Sequence, residues 1–200
     1  MRKEKLEELK RIIEEFKCIE KKKISDEGNF IKSHVYECNL NNGKKIIREQ
    51  LLKGKKDGSA VIIVPVLENG DVILTVEPRV FTKTTVGVGL PAGYIEEGET
   101  ALEAAKRELF EETGCKSITD QFIPLGGFYQ DMGCSSAYNQ LFIALNSEKS
   151  KYQNLDPGEY IKFFECTFDE ALELIDEGYI EGCNAIITLT RAKKYIKTKK

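Results

Sequence analysis

The chain has 200 residues, a hydrophobic fraction of 41%, a charged fraction of 32% and a formal net charge of −3. This length suffices for one domain with a real core, alone or with an added segment. The nearly balanced charge gives no strong field to attract nucleic acid, no apolar run is long enough to cross a bilayer, and the first residues lack a signal-peptide pattern. We therefore expect a cytoplasmic globular protein that binds neither nucleic acid nor membranes.

The cysteines support the same compartment. They show neither CxxC nor zinc-like spacing. Without a secretion signal, we expect them to be reduced thiols, mostly buried. Their positions are 18, 38, 115, 134, 166 and 183.

The chain begins with a helical pattern and then changes to strands. Residues 2–17 place apolar side chains on one helix face, which predicts an amphipathic helix that either covers its own domain or contacts a second copy. Residues 35–40 and 45–48 alternate on either side of Asn42-Gly43, which predicts a β-hairpin.

A second pair of strands follows. Residues 59–67 (SAVIIVPVL) are almost continuously apolar, which predicts a central strand buried on both faces. Asn69-Gly70 predicts the turn into a further strand at residues 71–77.

The second half of the chain mixes strands and helices. Thr167 and Glu170 have the spacing of a capping box, which predicts the start of a helix that Gly178 ends. The other predicted elements are strands at 121–129, 140–145 and 160–166, a polar loop at 148–157 and a helix at about 184–197. These elements together predict an α/β protein with a mixed sheet.

The most informative stretch is 93–114, GYIEEGETALEAAKRELFEETG. Thr100 and Glu103 again have capping-box spacing, and Gly114 stands where a left-handed C-terminal cap belongs. The preceding LPAGYIEEG carries Pro91 and two glycines, which predicts a tight loop with close backbone approach.

Three acids of this helix share one face. Glu108, Glu111 and Glu112 are three or four residues apart and project together. A neighbouring apolar stripe of Leu102, Ala105 and Leu109 is expected to bury the helix without burying its acids. The simpler alternative is a charged, solvated helix, but a like-charge pair four residues apart weakens a helix unless a cation offsets it. Hard oxygen ligands suit magnesium, calcium or manganese, so we predict a divalent-metal site.

The pattern G-x5-E-x7-R-E-L-x-E-E-x-G resembles the Nudix box of nucleoside diphosphate-X hydrolases. Every specified position is met through Gly114, and only the aliphatic last position departs, where Cys115 stands. The resemblance implies a Nudix α/β/α sandwich with a mixed sheet. It divides the chain into an N-terminal helix and small β region, 1–55, which dimerises in relatives, and a hydrolase domain, 56–200.

The resemblance also implies a metal centre. Glu108, Glu112 and the carbonyl oxygen of Ala92 would hold Mg²⁺, with Mn²⁺ as an alternative ion. Glu111 would be a third ligand or the catalytic base. The motif residues with an expected structural role, in which an Arg–Glu pair pins the loop to the helix, are Gly93, Glu99, Arg107 and Gly114.

Three residues outside the box resemble substrate or catalytic positions of relatives. Arg79 is a candidate phosphate or ribose contact, with a surface strand arginine as the alternative. Arg48 is a candidate substrate contact that one protomer of a homodimer would contribute to the other. Glu159 lies in a polar loop and resembles the glutamate that positions the attacking water in ADP-ribose hydrolases, with a solvated loop acid as the alternative.

The stretches at 76–79 (VEPR), 90–93 (LPAG) and 169–189 resemble the ADP-ribose and ADP-sugar pyrophosphatase branch. They imply an enzyme of the EC 3.6.1 type that hydrolyses ADP-ribose to AMP and ribose 5-phosphate. Gly89 and Ala137 stand where relatives carry acids, and residues 129–134 lack a proline that relatives carry. The alternatives are an ADP-glucose type pyrophosphatase, an RNA-processing Nudix enzyme and a non-catalytic nucleotide-sensing module.

Overall fold

The computed structural model describes residues 1–54, 57–150 and 152–196. Within these residues the chain forms four helices and ten strands. The helices are α1 Lys3–Phe16, α2 Ala101–Thr113, α3 Phe168–Asp176 and α4 Cys183–Ala192. The strands are β1 Ile31–Asn39, β2 Lys45–Lys53, β3 Ala60–Leu67, β4 Asp71–Pro78, β5 Val86–Gly89, β6 Ala92–Tyr94, β7 Cys115–Ser117, β8 Phe122–Tyr129, β9 Tyr138–Lys149 and β10 Lys162–Thr167.

Eight strands form one mixed sheet. Its main path runs β10-β4-β3-β9-β7, and β5, β6 and β8 pair with β4, β3 and β9 respectively. The pairing of β3 with β9 is parallel, whereas the other pairs in the sheet are antiparallel. The apolar strand β3 lies in the middle of this path, as its near-continuous burial requires.

Helices cover both faces of the sheet. Val61 and Ile63 of β3 pack in one apolar cluster with Ala104, Ala105 and Leu109 of α2. The alternate side chains of β3 face the opposite cluster, to which α1, α3 and α4 contribute. The predicted α/β/α sandwich with a mixed sheet is therefore confirmed.

The N-terminal helix α1 packs on the sheet of its own chain. Leu9 is fully buried, and α1 lies against β4 and β10. Lys162 of β10 donates to the carboxylate of Glu15 at 2.6 Å. Of the two predicted roles for this helix, the structure shows the one in which it covers its own domain.

The hairpin β1–β2 forms a separate two-stranded sheet. Gly43 supplies the positive φ, 79°, of the predicted Asn-Gly turn, and the strands are longer than predicted. Large apolar side chains remain exposed on it, with Val35 68% and Ile47 67% accessible. The expected domain boundary between 55 and 56 lies outside the described residues.

Several elements differ from the prediction at their ends. The short strand β6 lies in the LPAGYIEEG stretch that was expected to be loop, because it pairs with β3, and β5, for which no element was predicted, pairs with β4. Strand β10 begins at Lys162, two residues later than predicted. Helix α4 ends at Ala192, and position 197, to which the predicted last helix extended, lies outside the described residues.

The expectation that most cysteines are buried was wrong. All six are free thiols, but only Cys115 and Cys166 are buried. Burial raises the pKa of the Cys166 thiol to about 12. Along the described ranges, no helix combines the length and apolar character that a membrane crossing needs.

Candidate active site

Helix α2 begins and ends where the sequence predicts. The Thr100 hydroxyl accepts from the backbone N–H of Glu103, and the Glu103 carboxylate accepts from the backbone N–H of Thr100, so the capping box is complete. Gly114 ends the helix with φ 68° and ψ 10°, the left-handed region that favours glycine. These caps fix the length of the helix, and with it the position of its acids.

The acids of α2 are more buried than the sequence suggests. Glu108 is 8% and Glu112 5% accessible, whereas Leu102 is 40% accessible. The expectation that Leu102 would help to bury the helix, and that the acids would stay outside, was therefore wrong. At about 100° per residue, Leu102 points to the same side as Leu109 and Thr113, so its exposure follows from its place in the first turn of α2 and not from its direction around the helix.

Both buried carboxylates meet the loop that precedes the helix. The backbone N–H of Ala92 donates to Glu112 Oε2 at 3.1 Å. A Cβ atom at Gly93 would lie 1.9 Å from Glu108 Oε1, so only glycine leaves room for this carboxylate. Ala92 and Gly93 are consecutive, and the two carboxylates therefore converge on one short segment of backbone.

Arg107 connects this loop to the helix. Its Nε and Nη2 donate to the two carboxylate oxygens of Glu99, each at 2.9 Å, and Nη2 also donates to the carbonyl oxygen of Tyr94 at 3.0 Å. Its Nη1 donates to Glu108 at 2.6 Å and to Glu111 at 3.0 Å. The expected Arg–Glu pair is thus present, and the same guanidinium also offsets charge on two of the three acids.

Burial makes the Glu108 and Glu112 carboxylates difficult to ionise. It raises the pKa of Glu108 to about 7, against the lowering effect of Arg107. It also raises the pKa of Glu112 well above its ordinary value, and the charges of Glu77 and Glu108 raise it further, while the hydrogen bond from Ala92 lowers it. A positive charge placed beside Glu112 would therefore stabilise its ionised form.

Glu77 joins Glu108 and Glu112 in an acidic cluster, since its charge raises the pKa of Glu112. The sequence motifs did not identify it. It lies on β4, and burial raises its pKa even though Arg79 donates to it at 2.6 Å. Strand alternation could have identified it, because Glu77 shares a face of β4 with Ile73, which packs against the α2 side of the sheet. The pairing also brings the predicted contact residue Arg79 to the acidic cluster.

Glu159 lies in the loop between β9 and β10 and is exposed. Burial is the main cause of the raised pKa values of Glu77, Glu108 and Glu112, and the charge of Glu159 raises all three further. The fold therefore brings Glu159 close enough to the α2 acids to influence them, although it is far from them in sequence.

Arg48 lies elsewhere. It is an exposed residue of β2, in the separate two-stranded sheet, and its Nη1 donates to the neighbouring carbonyl oxygen of Ile47 at 2.8 Å. The structure of one chain therefore does not bring Arg48 into the acidic cluster.

The donor set fits a hard divalent cation by its chemistry. Within the described ranges, no three acidic, histidine or cysteine side chains are arranged to hold a metal ion, and Arg107 donates to Glu108 and Glu111. However, two buried carboxylates with raised pKa values face the same backbone segment, and oxygen ligands of this kind suit Mg²⁺ or Mn²⁺. The residues that would hold the ion are Glu108, Glu112 and the Ala92 carbonyl.

Comparison with known proteins places this site in a family context. The family model of the NUDIX domain matches residues 56–194. The chain is 32% identical over 167 residues to the ADP-ribose pyrophosphatase of Bacillus subtilis (strain 168), an alignment covering 80% of this chain and 85% of that protein. It is 29% identical over 178 residues to the methanol dehydrogenase activator of Bacillus methanolicus, covering 86% and 92%.

A solved structure supports the fold. The chain resembles a protein described as an ADP compounds hydrolase with a TM-score of 0.70 over 86% of this chain and 90% of that one. The sequence identity is 19%, so this likeness concerns the arrangement of helices and strands. The family match covers α2, the preceding loop and the Glu159 loop together.

Proposed function

The chain belongs to the Nudix hydrolase family, and from that premise we propose that it hydrolyses the diphosphate of a nucleoside diphosphate derivative with the help of a divalent metal ion. The observation that carries this proposal is the pair of buried carboxylates, Glu108 and Glu112, that converge on Ala92 and Gly93. Burying two acids together is unfavourable unless a cation offsets their charge. A diphosphate is a substrate that requires such a cation.

The roles of the residues follow from their positions. Glu108, Glu112 and the Ala92 carbonyl would hold Mg²⁺, with Mn²⁺ as the alternative. When bound, this ion supplies Lewis-acid stabilisation of phosphate charge and activates water. Gly93 leaves room for Glu108, and Gly114 ends the helix at the correct residue.

Three further groups act on the substrate or on the attacking water. Arg79 would donate to a phosphate oxygen, because it already lies beside the acidic cluster. Glu111 and Glu159 are the two candidates for the base that takes a proton from water. Arg107 and Glu99 hold the loop against the helix, so their role is to keep the metal ligands in position.

We propose ADP-ribose as the substrate, with water added across the diphosphate to give AMP and ribose 5-phosphate. The support is the 32% identity to a protein named ADP-ribose pyrophosphatase and the likeness of the fold to an ADP compounds hydrolase. ADP-glucose and related nucleotide sugars have the same diphosphate and differ only in the sugar. A nucleotide-sensing module without turnover has less support, because all three acids of the helix are present.

The N-terminal region, residues 1–55, is proposed to mediate a homodimer. An isolated two-stranded hairpin is marginally stable in water, and β1–β2 exposes large apolar side chains on its surface. A dimer would also give Arg48 a route to the active site of the partner. The free cysteines support a cytoplasmic location, because reduced thiols persist in that compartment.

The substrate is tested with a panel of nucleoside diphosphate derivatives in Mg²⁺, with products identified by mass. ADP-ribose should give AMP and ribose 5-phosphate faster than ADP-glucose gives AMP and glucose 1-phosphate. Faster turnover of ADP-glucose would transfer the assignment to the ADP-glucose type. Tight nucleotide binding without products from any member of the panel would instead identify a sensing module.

A further inference from the structure

The loop that carries Glu159 is attached to the end of α2 by backbone hydrogen bonds. The N–H of Asn154 donates to the carbonyl oxygen of Glu111 at 3.0 Å, and the N–H of Ser150 donates to that of Gly114 at 2.8 Å. The last carbonyl groups of a helix have no partner within the helix. The loop therefore supplies the donors that the C-terminal turn of α2 lacks.

Gln153 adds a side-chain bridge at the same place. It is half-buried, and its Nε2 donates both to the carbonyl oxygen of Glu112 and, at 3.4 Å, to the carbonyl oxygen of Ile161. Ile161 is buried directly before β10. The Gln153 amide thus connects three points: the start of the loop, where Gln153 lies, the end of the loop at Ile161, and the last turn of α2 at Glu112.

The segment between these ends is a self-contained turn. The N–H of Glu159 donates to the carbonyl oxygen of Asp156 at 3.0 Å, and the Glu159 carboxylate accepts from the N–H of Asp156 at 3.1 Å. Pro157 followed by Gly158 with φ 96° is the sequence that a type II turn requires. Because these bonds are internal to an exposed turn, they do not fix the turn relative to α2.

We propose that Gln153 is a positioning residue that holds the Glu159 turn in register with the acids of α2. The proposal rests on the proposed hydrolase function and on Glu159 as the base. The two N–H groups of one primary amide match two carbonyl acceptors, and no apolar side chain can replace them. Without the bridge, the turn keeps its internal structure, but only the backbone bonds of Ser150 and Asn154, on one side of the turn, hold the loop to α2. The distance of Glu159 from the helix is then no longer fixed.

The test compares Gln153→Met with Gln121→Met. Methionine keeps the unbranched shape of glutamine and removes the donor, and Gln121 is exposed at the end of the sheet near β8. For Gln153→Met we expect kcat for ADP-ribose to fall about 10- to 100-fold, as for a misplaced catalytic group, with KM and Mg²⁺ affinity changed less than about threefold. Gln121→Met should match the wild type, and Gln153→Lys, which restores donors, should recover most of the loss.

A double-mutant cycle separates positioning from general damage. If Gln153 acts through Glu159, the double variant Gln153→Met/Glu159→Gln should turn over no more slowly than Glu159→Gln alone. Losses that multiply in the double variant would overturn the proposal, and so would an unchanged kcat in Gln153→Met.

Amide hydrogen exchange tests the role of Gln153 without measuring turnover. In the wild type, the amides of Asn154 and Glu159 should be protected, and in Gln153→Met the Asn154 amide should exchange at least about tenfold faster. An unprotected Asn154 amide in the wild type would contradict the attachment of the loop to α2, on which the bridge depends, even if Gln153→Met does not fold. If the wild type hydrolyses no nucleoside diphosphate derivative, the proposed function fails, while the exchange data still decide whether Gln153 holds the loop to α2.

Discussion

The buried acids of α2 and Glu159, in the loop between β9 and β10, lie in one acidic cluster but are held by different kinds of contact. Glu108 and Glu112 are buried against the Ala92-Gly93 backbone and share a capped helix. Glu159 is exposed, and its own hydrogen bonds stay within one turn. The positions of Glu108 and Glu112 are thus fixed by burial, which opposes their ionisation. The position of Glu159 depends on the contacts that attach its loop to α2.

The buried and the exposed acids therefore suit different roles. Metal ligands must keep a set geometry, and burial in a packed helix-to-sheet interface provides it. A base that acts on water in a site open to substrate can remain exposed until substrate binds. Substitutions on the two sides should therefore have different consequences for metal binding, stability and turnover.

The largest effect is expected for Glu112→Gln. It removes a charged ligand with little change in shape, so turnover should fall at least about 100-fold and Mg²⁺ should no longer raise the melting temperature as it does in the wild type. Kinetics and thermal melts across a Mg²⁺ series measure both. Glu97→Gln, at an exposed position of the loop before α2, is the control.

The same variant should be more stable than the wild type without metal. It removes a buried acid that ionises more readily in the unfolded chain, but it retains an acceptor for the Ala92 N–H. Tm in chelator at neutral pH should therefore rise by a few degrees, where 1 kcal/mol corresponds to about 2–4 °C. A lower Tm together with full activity would show that Glu112 is only a structural acid.

Glu159→Gln should reduce turnover about 10- to 100-fold. This loss is no larger than the smallest contribution that a general base usually makes, about 100-fold. Because Glu159 is outside the buried part of the site, Mg²⁺ affinity and Tm should stay close to those of the wild type. Glu148→Gln, another exposed acid near the end of β9, serves as the control. A change in turnover of less than about twofold would assign the base to Glu111.

Arg107→Lys should affect stability as well as turnover. Lysine cannot reproduce the two parallel bonds to Glu99 together with those to Glu108 and Glu111. We expect Tm to fall by several degrees and turnover to fall about tenfold, since hydrogen bonds to charged groups are each worth about 1.5–3 kcal/mol. Arg11→Lys on the exposed face of α1 is the matched control.

An unchanged Tm and Mg²⁺ affinity in Arg107→Lys, combined with complete loss of turnover, would instead make Arg107 a direct participant in the reaction. That result would contradict the structural role given to the Arg107–Glu99 pair. It would also show that these bonds do not fix the loop before α2 against the helix.

The last effect is a pH dependence of stability caused by Glu108. Its pKa is about 7 in the folded protein and 4.5 as an ordinary value, so between these pH values the folded state holds more protons than the unfolded state. The free energy of unfolding due to this group therefore falls as pH rises from 4.5 through 7. In chelator, the Tm of Glu108→Gln minus that of the wild type should increase over this range, and a constant difference would contradict the assigned burial.

Local signals in the sequence predicted much of the fold. The Asn-Gly turns, the apolar run of β3 and the two capping boxes each act within a few residues, so the hairpins and the helix starts could be read directly. The short strands β5 and β6 could not, because they exist only through pairing with β4 and β3. Tertiary partners decide such elements.

Local spacing also predicted part of the candidate site, and tertiary contacts decided the rest. Helical spacing placed Glu108, Glu111 and Glu112 on one side of α2, and motif spacing identified the Glu99–Arg107 pair. The inclusion of Glu77 depends on how β4 faces α2. The burial of the acids depends on the Ala92-Gly93 backbone, which a helical pattern does not describe.

The most direct measurement of the central claim is ADP-ribose turnover by the wild-type protein, with product masses, in a Mg²⁺ titration that begins in excess chelator. The buried acids predict no turnover in chelator and a saturable rise with Mg²⁺, yielding AMP and ribose 5-phosphate as the only products. Turnover that persists in chelator at the rate seen with Mg²⁺ would contradict a metal-dependent hydrolase built on Glu108 and Glu112.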